Sequence, residues 1–315
     1  MKCLIVQPIH EAGLSLLRDN GVEPIPCPAP DMEMVARLVA GCEAAITRDA
    51  GFSGFAMRAG DRLRVVVVHG TGHDAVDKAA ATERGVLVCN TPGANARSVC
   101  ELALGLALAA ARRIPAADRA ERDGMAGFRE RERFVELSGK TALIVGWGAT
   151  GRGLGAMLRA AFGMRVLVHS PRVADLGGFD RCASLQEGLA RADLVSLHTP
   201  LRPQTHHLID AQALAALKPG AILVNTARAG LVDEAALARA LDAGRVLAAG
   251  LDVYSHGAPA GPLGRCGRVI FTPHLGGTTG EALERVALGA ARNVLEALAG
   301  RRPATALNVD EGVSV

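Results

Sequence analysis

Leu143-Ile144-Val145-Gly146-Trp147-Gly148-Ala149-Thr150-Gly151 reads as a buried strand that turns through a G-x-G-x-x-G loop into a helix ending near Phe162. In that setting each glycine has a physical task. Gly146 permits the tight turn, Gly148 lets the backbone approach a pyrophosphate, and Gly151 lets helix and strand pack closely. The N–H groups of the first helical turn, with Ala149 and Thr150, face the anion. With 37 glycines in the chain a chance match is credible, so the strand-to-helix context carries the argument.

Apolar runs continue the series at Arg165–His169, Asp193–His198, Ala221–Thr226, Leu247–Val253 and Arg268–Phe271, after the first at Thr141–Val145. Helical stretches fit between them, notably Thr150–Phe162, Asp210–Leu217 and Asp233–Ala243, the last capped by Asp233 and closed by Gly244. Six strands with helical crossovers predict a doubly wound parallel sheet, a Rossmann-type dinucleotide domain. Upstream stands a second series, with strands near Cys3–Val6, Val22–Pro26, Ala44–Thr47, Leu63–Val68 and Val86–Val88. Its helices are predicted at Glu11–Asp19, Asp31–Val39 and Asp74–Thr82. The continuous run Val65-Val66-Val67-Val68 has the look of a strand buried on both faces. A long helix is predicted at Ala96–Arg113 and another at Thr279–Ala299. The charged stretch Pro115–Glu136 belongs to neither series and reads as a loop, a subunit arm or a solvated helix.

The 315 residues suit two domains, and 49% hydrophobic against 21% charged residues is ordinary for a globular chain. A net charge of +3 with 3% aromatics argues against a nucleic-acid partner on both electrostatic and stacking grounds. Seven scattered cysteines, none in a C-x-x-C pair, fit reduced thiols and a cytoplasmic location. No run reaches the length of a membrane span, and the first apolar run is shorter than a signal segment needs. No metal site is expected. His206-His207 lack a third ligand, and glycines separate His69 from His73.

The second strand of the nucleotide series ends without the carboxylate that would hold an adenosine ribose. Ser170 and Arg172 follow it instead, suiting a 2′-phosphate, so NADP is favoured; NAD with an acid elsewhere, such as Asp175, is the alternative. Polar residues recur at later strand ends, where open parallel sheets bind ligands: Thr199 and Pro200, Arg228, Asp252 and His274. Arg48, after another strand, reads either as a contact to a second anionic group or as a surface charge.

Leu197-His198-Thr199-Pro200-Leu201, Asn225-Thr226-Ala227-Arg228-Ala229-Gly230-Leu231-Val232-Asp233-Glu234, Gly250-Leu251-Asp252-Val253 and Thr272-Pro273-His274-Leu275-Gly276-Gly277 together resemble the D-isomer-specific 2-hydroxyacid dehydrogenases. His69-Gly70-Thr71-Gly72-His73-Asp74 and Asn90-Thr91-Pro92-Gly93-Ala94-Asn95 extend the resemblance over nearly the whole chain. It implies two doubly wound α/β domains, with the Rossmann cofactor domain (residues 98–278) inserted into a flavodoxin-like substrate domain (1–97 and 279–315). The active site would lie between them. It implies an NAD(P)-dependent enzyme, forming a homodimer, that interconverts a small 2-oxo acid and its D-2-hydroxy acid, with glyoxylate or hydroxypyruvate reduction favoured. By the same resemblance the amides of Thr71 and Gly72 would help hold the substrate carboxylate. Arg228 would bind it and polarise the carbonyl, and His274 would supply the proton. Asp252 would fix the carboxamide; Thr199, Pro200, Ala227, Gly276 and Gly277 would line the cofactor.

One feature departs from the family pattern. The glutamate that normally pairs with the histidine is missing, and no Asp or Glu occurs between Asp252 and His274. Without that carboxylate the imidazolium is less stabilised, so reduction should weaken as pH rises through neutrality. Three readings follow: turnover without the pair, orientation of His274 by His256 or a distant residue, or a cofactor-binding sensor akin to the corepressors of this fold. Oxidation of a one-carbon or phosphorus acid such as formate or phosphite is a further alternative.

Overall fold

Val65-Val66-Val67-Val68 is buried on both faces, and it forms the fourth of twelve strands in the computed structural model, which describes residues 1–308. Full burial of a valine is worth about 1.5–3 kcal/mol, so such runs anchor sheet centres. The first five strands are β1 (Lys2–Ile5), β2 (Glu23–Pro26), β3 (Ala44–Thr47), β4 (Val65–Val68) and β5 (Leu87–Cys89). They pair in parallel in the order β2-β1-β3-β4-β5. The remaining seven are β6 (Thr141–Val145), β7 (Arg165–His169), β8 (Asp180–Arg181), β9 (Leu194–Leu197), β10 (Ala221–Asn225), β11 (Val246–Leu251) and β12 (Val269–Phe271). Their order is β12-β11-β10-β9-β6-β7-β8, again all parallel. In both sheets the strand order reverses beside the first strand, which creates a crevice at the carboxyl ends of the strands.

Two compact units result, Met1–Asn95 with Gly277–Val315, and Ala96–Gly276. Residues 309–315 of the expected second segment of the substrate domain lie outside the described residues. In the first unit, helix Gly280–Leu298 buries Ala290, Ala291 and Val294 among Ile5, Ile46 and Val67 of the sheet. Gly13 of helix Glu11–Asp19 lies so close to it that a Cβ there would stand 2.8 Å from the Ala287 carbonyl oxygen. In the second unit, helices Ala96–Arg112 and Ala149–Phe162 cover one face of the sheet. Leu185–Arg191, Ala211–Ala216 and Glu234–Asp242 cover the other.

Where the pattern of the chain differs from the structure, local chemistry explains it. The helix expected at Asp74–Thr82 begins only at Lys78. Asp77 accepts a hydrogen bond from the Ala80 N–H and is the true cap, while Val76 bridges to Phe52. Helices Gly54–Ala59 and Leu185–Arg191 were unforeseen, being too short to show a period, although Ser53 and Ser184 cap them. Pro115–Glu136 holds helix Ile114–Arg122 and a single turn, Phe128–Arg131. Gly244 has φ +70°, the left-handed closure its position called for. All seven cysteines are free thiols, and no helix among the described residues is long and apolar enough to cross a membrane.

Candidate active site

The strand-to-helix loop after β6 has room where a phosphate needs it and none elsewhere. A Cβ on Gly146 (φ +97°) would stand 2.5 Å from the His198 carbonyl oxygen, and one on Gly151 would drive into the Gly146 carbonyl. A Cβ on Gly148 would meet nothing within 4 Å. Gly148 also begins helix Ala149–Phe162 without a side-chain cap, whereas Asp233 or Thr279 caps its own helix. The first-turn amides are thus left open to an anion, and these residues fit a dinucleotide pyrophosphate. Trp147 is buried at 3% exposure against Phe179, with ring centroids 4.8 Å apart.

At the end of β7, the Trp147 N–H donates to the Ser170 hydroxyl at 3.3 Å. Arg181 on β8 donates to the Ser170 carbonyl at 2.9 Å and also to Val173 and Ala174, so a guanidinium ties down the whole turn. Arg172 is exposed and makes no hydrogen bond or ion pair among the described residues. Asp175 accepts from the Gly177 N–H at 2.8 Å within its own turn.

Arg228 and His274 stand just beyond β10 and β12, with β11 between those strands. A run of hydrogen bonds joins their backbones. The Asn225 side chain donates to the Arg228 carbonyl at 2.8 Å and accepts from the Ala227 N–H at 3.0 Å. The Asn225 carbonyl accepts from the Asp252 N–H at 2.9 Å, and the Asp252 carbonyl accepts from the His274 N–H at 3.1 Å. Arg228 Nη1 also donates to the Ala227 carbonyl at 2.6 Å.

The Asp252 carboxylate, 2% exposed, gathers the turn that presents His274. Oδ1 accepts from the Thr272 hydroxyl at 2.6 Å and the Leu275 N–H at 2.7 Å, and Oδ2 from the Gly276 N–H at 2.9 Å. Within that turn His274 has φ +56°, a left-handed conformation costing a non-glycine residue roughly 1–2 kcal/mol. Three bonds to a buried charge offset that strain. Thr199 and Pro200 follow β9, beside the glycine loop, since the Gly146 Cβ position lies 2.8 Å from the Thr199 nitrogen. A Cβ on Gly277 would stand 2.7 Å from Asn95 Nδ2, a neighbour within the first unit.

In the first unit, Thr91 holds the loop after β4 by donating its N–H to the Gly70 carbonyl at 2.9 Å and accepting from the Gly70 N–H at 3.0 Å. Asn90 donates to the Thr71 carbonyl at 2.8 Å. The N–H groups of Thr71 and Gly72 donate to nothing among the described residues. Burial, reinforced by Arg48, lowers the His69 pKa to about 4. Arg48 itself donates to the Pro8 carbonyl at 3.0 Å.

His256 is exposed and makes no hydrogen bond among the described residues, so nothing supports it as the group that orients His274. The loop that would carry the family glutamate is instead held by Glu234, which accepts from the Ser255 N–H at 2.7 Å and from its hydroxyl. Sequence reasoning passed over Asn225 and Glu234 as positioning residues. Their only sequence signal was a polar residue at a strand end or helix start. His206 and His207 stack at 4.0 Å, and no cluster of three metal-ligating side chains occurs among the described residues.

Residues 104–276 match the family model described as D-isomer specific 2-hydroxyacid dehydrogenase, NAD binding domain. The chain is 44% identical to a D-3-phosphoglycerate dehydrogenase of Mycobacterium tuberculosis over 90% of its own length, but spans only 54% of that protein. It is 37% identical to a hydroxypyruvate reductase of Thermotoga maritima, covering 77% of this chain and 80% of that one. The crystal structure of the TT0316 protein from Thermus thermophilus superposes with a TM-score of 0.90 at 36% identity, covering 98% of this chain and 100% of that one.

Proposed function

The chain belongs to the D-isomer specific 2-hydroxyacid dehydrogenase family, and from that premise we propose that it transfers a hydride between a nicotinamide cofactor and a small 2-oxo or D-2-hydroxy acid. The observation that carries this reading is the hydrogen-bonded run from Arg228 through Asn225 and Asp252 to His274. It gives a guanidinium and an imidazole fixed supports at the ends of β10 and β12, with β11 between them. Arg228 binds the substrate carboxylate through its planar fork and polarises the adjacent carbonyl. The open amides of Thr71 and Gly72 add donors for the same carboxylate. His274 gives a proton to the carbonyl oxygen during reduction and removes it during oxidation. The cofactor, when bound, supplies or accepts the hydride.

The segment 98–278 serves as the cofactor domain, and 1–97 with 279–315 as the substrate domain. Gly146, Gly148, Ala149, Thr150 and Gly151 cradle the pyrophosphate, while Thr199, Pro200, Ala227, Gly276 and Gly277 line the remainder. Asp252 fixes the cofactor's carboxamide, and its bonds to the turn after β12 also support His274. NADP is favoured over NAD because Arg172 stands exposed and Asp175 is engaged in its own turn. A homodimer acting in the cytoplasm completes the proposal.

A substrate panel decides it. Glyoxylate, hydroxypyruvate and pyruvate with NADPH and NADH, and 3-phosphoglycerate with the oxidised cofactors, are followed at the reduced-nicotinamide absorbance band. We expect turnover of glyoxylate or hydroxypyruvate, faster with NADPH. Dinucleotide binding with no turnover of any of the four acids would favour the sensor reading that the missing glutamate suggests.

A further inference from the structure

Arg113 stands at the junction of helices Ala96–Arg112 and Ile114–Arg122, in the second unit, and three observations meet on it. Its backbone is left-handed, with φ +54°, which a residue carrying a Cβ adopts only at a cost. Its side chain is 7% exposed. Its Nε is a buried donor without a hydrogen bond among the described residues; the Glu132 carboxylate lies 3.3 Å away but lacks hydrogen-bond alignment. A strained backbone and an unsatisfied buried donor on one residue mark a position shaped by something other than packing.

That residue lines a cavity of about 270 Å³, a size that suits a small organic molecule. Arg119 and Arg268 line it as well, and no carboxylate does so among the described lining residues. Ile270 and Phe271 of β12 and Pro115 add apolar lining. The strand β12 is the edge of the seven-stranded sheet, so no further strand of this sheet covers its outer side. Three arginines and several apolar side chains lining one cavity suit a ligand with one anionic end and a compact apolar body.

We propose that this pocket is a binding site for a small oxyanion, carboxylate or phosphate, carried on a compact apolar group. It shares no residue with the glycine loop or with Arg228 and His274. The anionic end meets Arg113, Arg119 and Arg268, and the apolar body lies against Ile270 and Phe271. Glu132 competes with the ligand for Arg113.

Calorimetric titration of the full chain with benzoate and with phenyl phosphate, at low salt, tests the site and distinguishes the two anions. Binding of either in the millimolar range or tighter is expected, weakening as salt is added. The double variant Arg119→Ala/Arg268→Ala removes one exposed and one half-buried arginine, and it should retain its circular dichroism and bind at least about tenfold more weakly. Glu132→Gln should bind several-fold more tightly, because it releases Arg113. Absence of heat from both ligands at millimolar concentration, or equal affinity in wild type and the double variant, would overturn the proposal. These are binding readouts, so they stand apart from any result of the substrate panel.

Discussion

Two buried polar side chains, Asn225 and Asp252, govern the two residues that the proposed chemistry uses. Asn225 is fully buried and bonds both sides of the turn that carries Arg228. Asp252 accepts three bonds from the turn that carries His274. Asp252→Asn would keep the shape but turn an N–H2 group toward one of those donors. Losing one bond to a buried charge costs about 1.5–3 kcal/mol, so kcat/KM should fall by about 10- to 100-fold. His274→Gln, by removing the acid itself, should cost about 10²–10⁴-fold in kcat. Steady-state kinetics of both variants checks this; an unaltered kcat/KM in Asp252→Asn would show that the turn holds His274 without the charge. Arg228 and His274 could be singled out from their motifs. The support beneath them could not, because Asn225–Asp252 and Asp252–His274 are contacts between residues far apart in sequence.

Among the elements, the strand–loop–helix that begins at Thr141 was readable in full, since every requirement on it is local. The structure adds that its three glycines are not equivalent. At Gly148 a Cβ has open space, whereas at Gly151 it would meet backbone of the loop itself. Gly148→Ala should therefore fold with an unchanged melting temperature and lose at least about tenfold in dinucleotide affinity, by crowding the anion. Gly151→Ala should lower the melting temperature, because backbone must shift to admit the methyl group. Thermal melts with parallel cofactor titrations separate the two. Equal loss of stability in both variants would contradict the geometry. Short elements were the illegible ones: a helix of six or seven residues, such as Gly54–Ala59, spans fewer than two turns and shows no usable period.

At the scale of the whole molecule, each unit holds a histidine whose charging is opposed by burial. His69 in the first unit and His198 in the second both have pKa values lowered to about 4, and His198 shares a 2.8 Å hydrogen bond between its Nε2 and the Ser196 hydroxyl. Between that value and the ordinary one near 6.5, the unfolded chain binds more protons than the folded one. Their contribution to stability is thus complete above about pH 6.5 and is lost as pH falls toward 4. Scanning calorimetry should show a melting temperature that drops from about pH 7.5 to about pH 5, and less steeply in His198→Gln; a constant value would contradict the burial argument.

The order of the strands' apolar runs, the nucleotide loop and the family motifs were all determined by the sequence alone, because each depends on neighbours within a few positions or on periodicity along one element. Only the tertiary structure decided which residues of the first sheet helix Gly280–Leu298 packs on, that Asp252 supports His274, and that three arginines share one cavity. Those outcomes depend on which distant residues the two sheets bring within hydrogen-bonding or van der Waals range, and such ranges of a few ångströms are set by the packing of the whole unit.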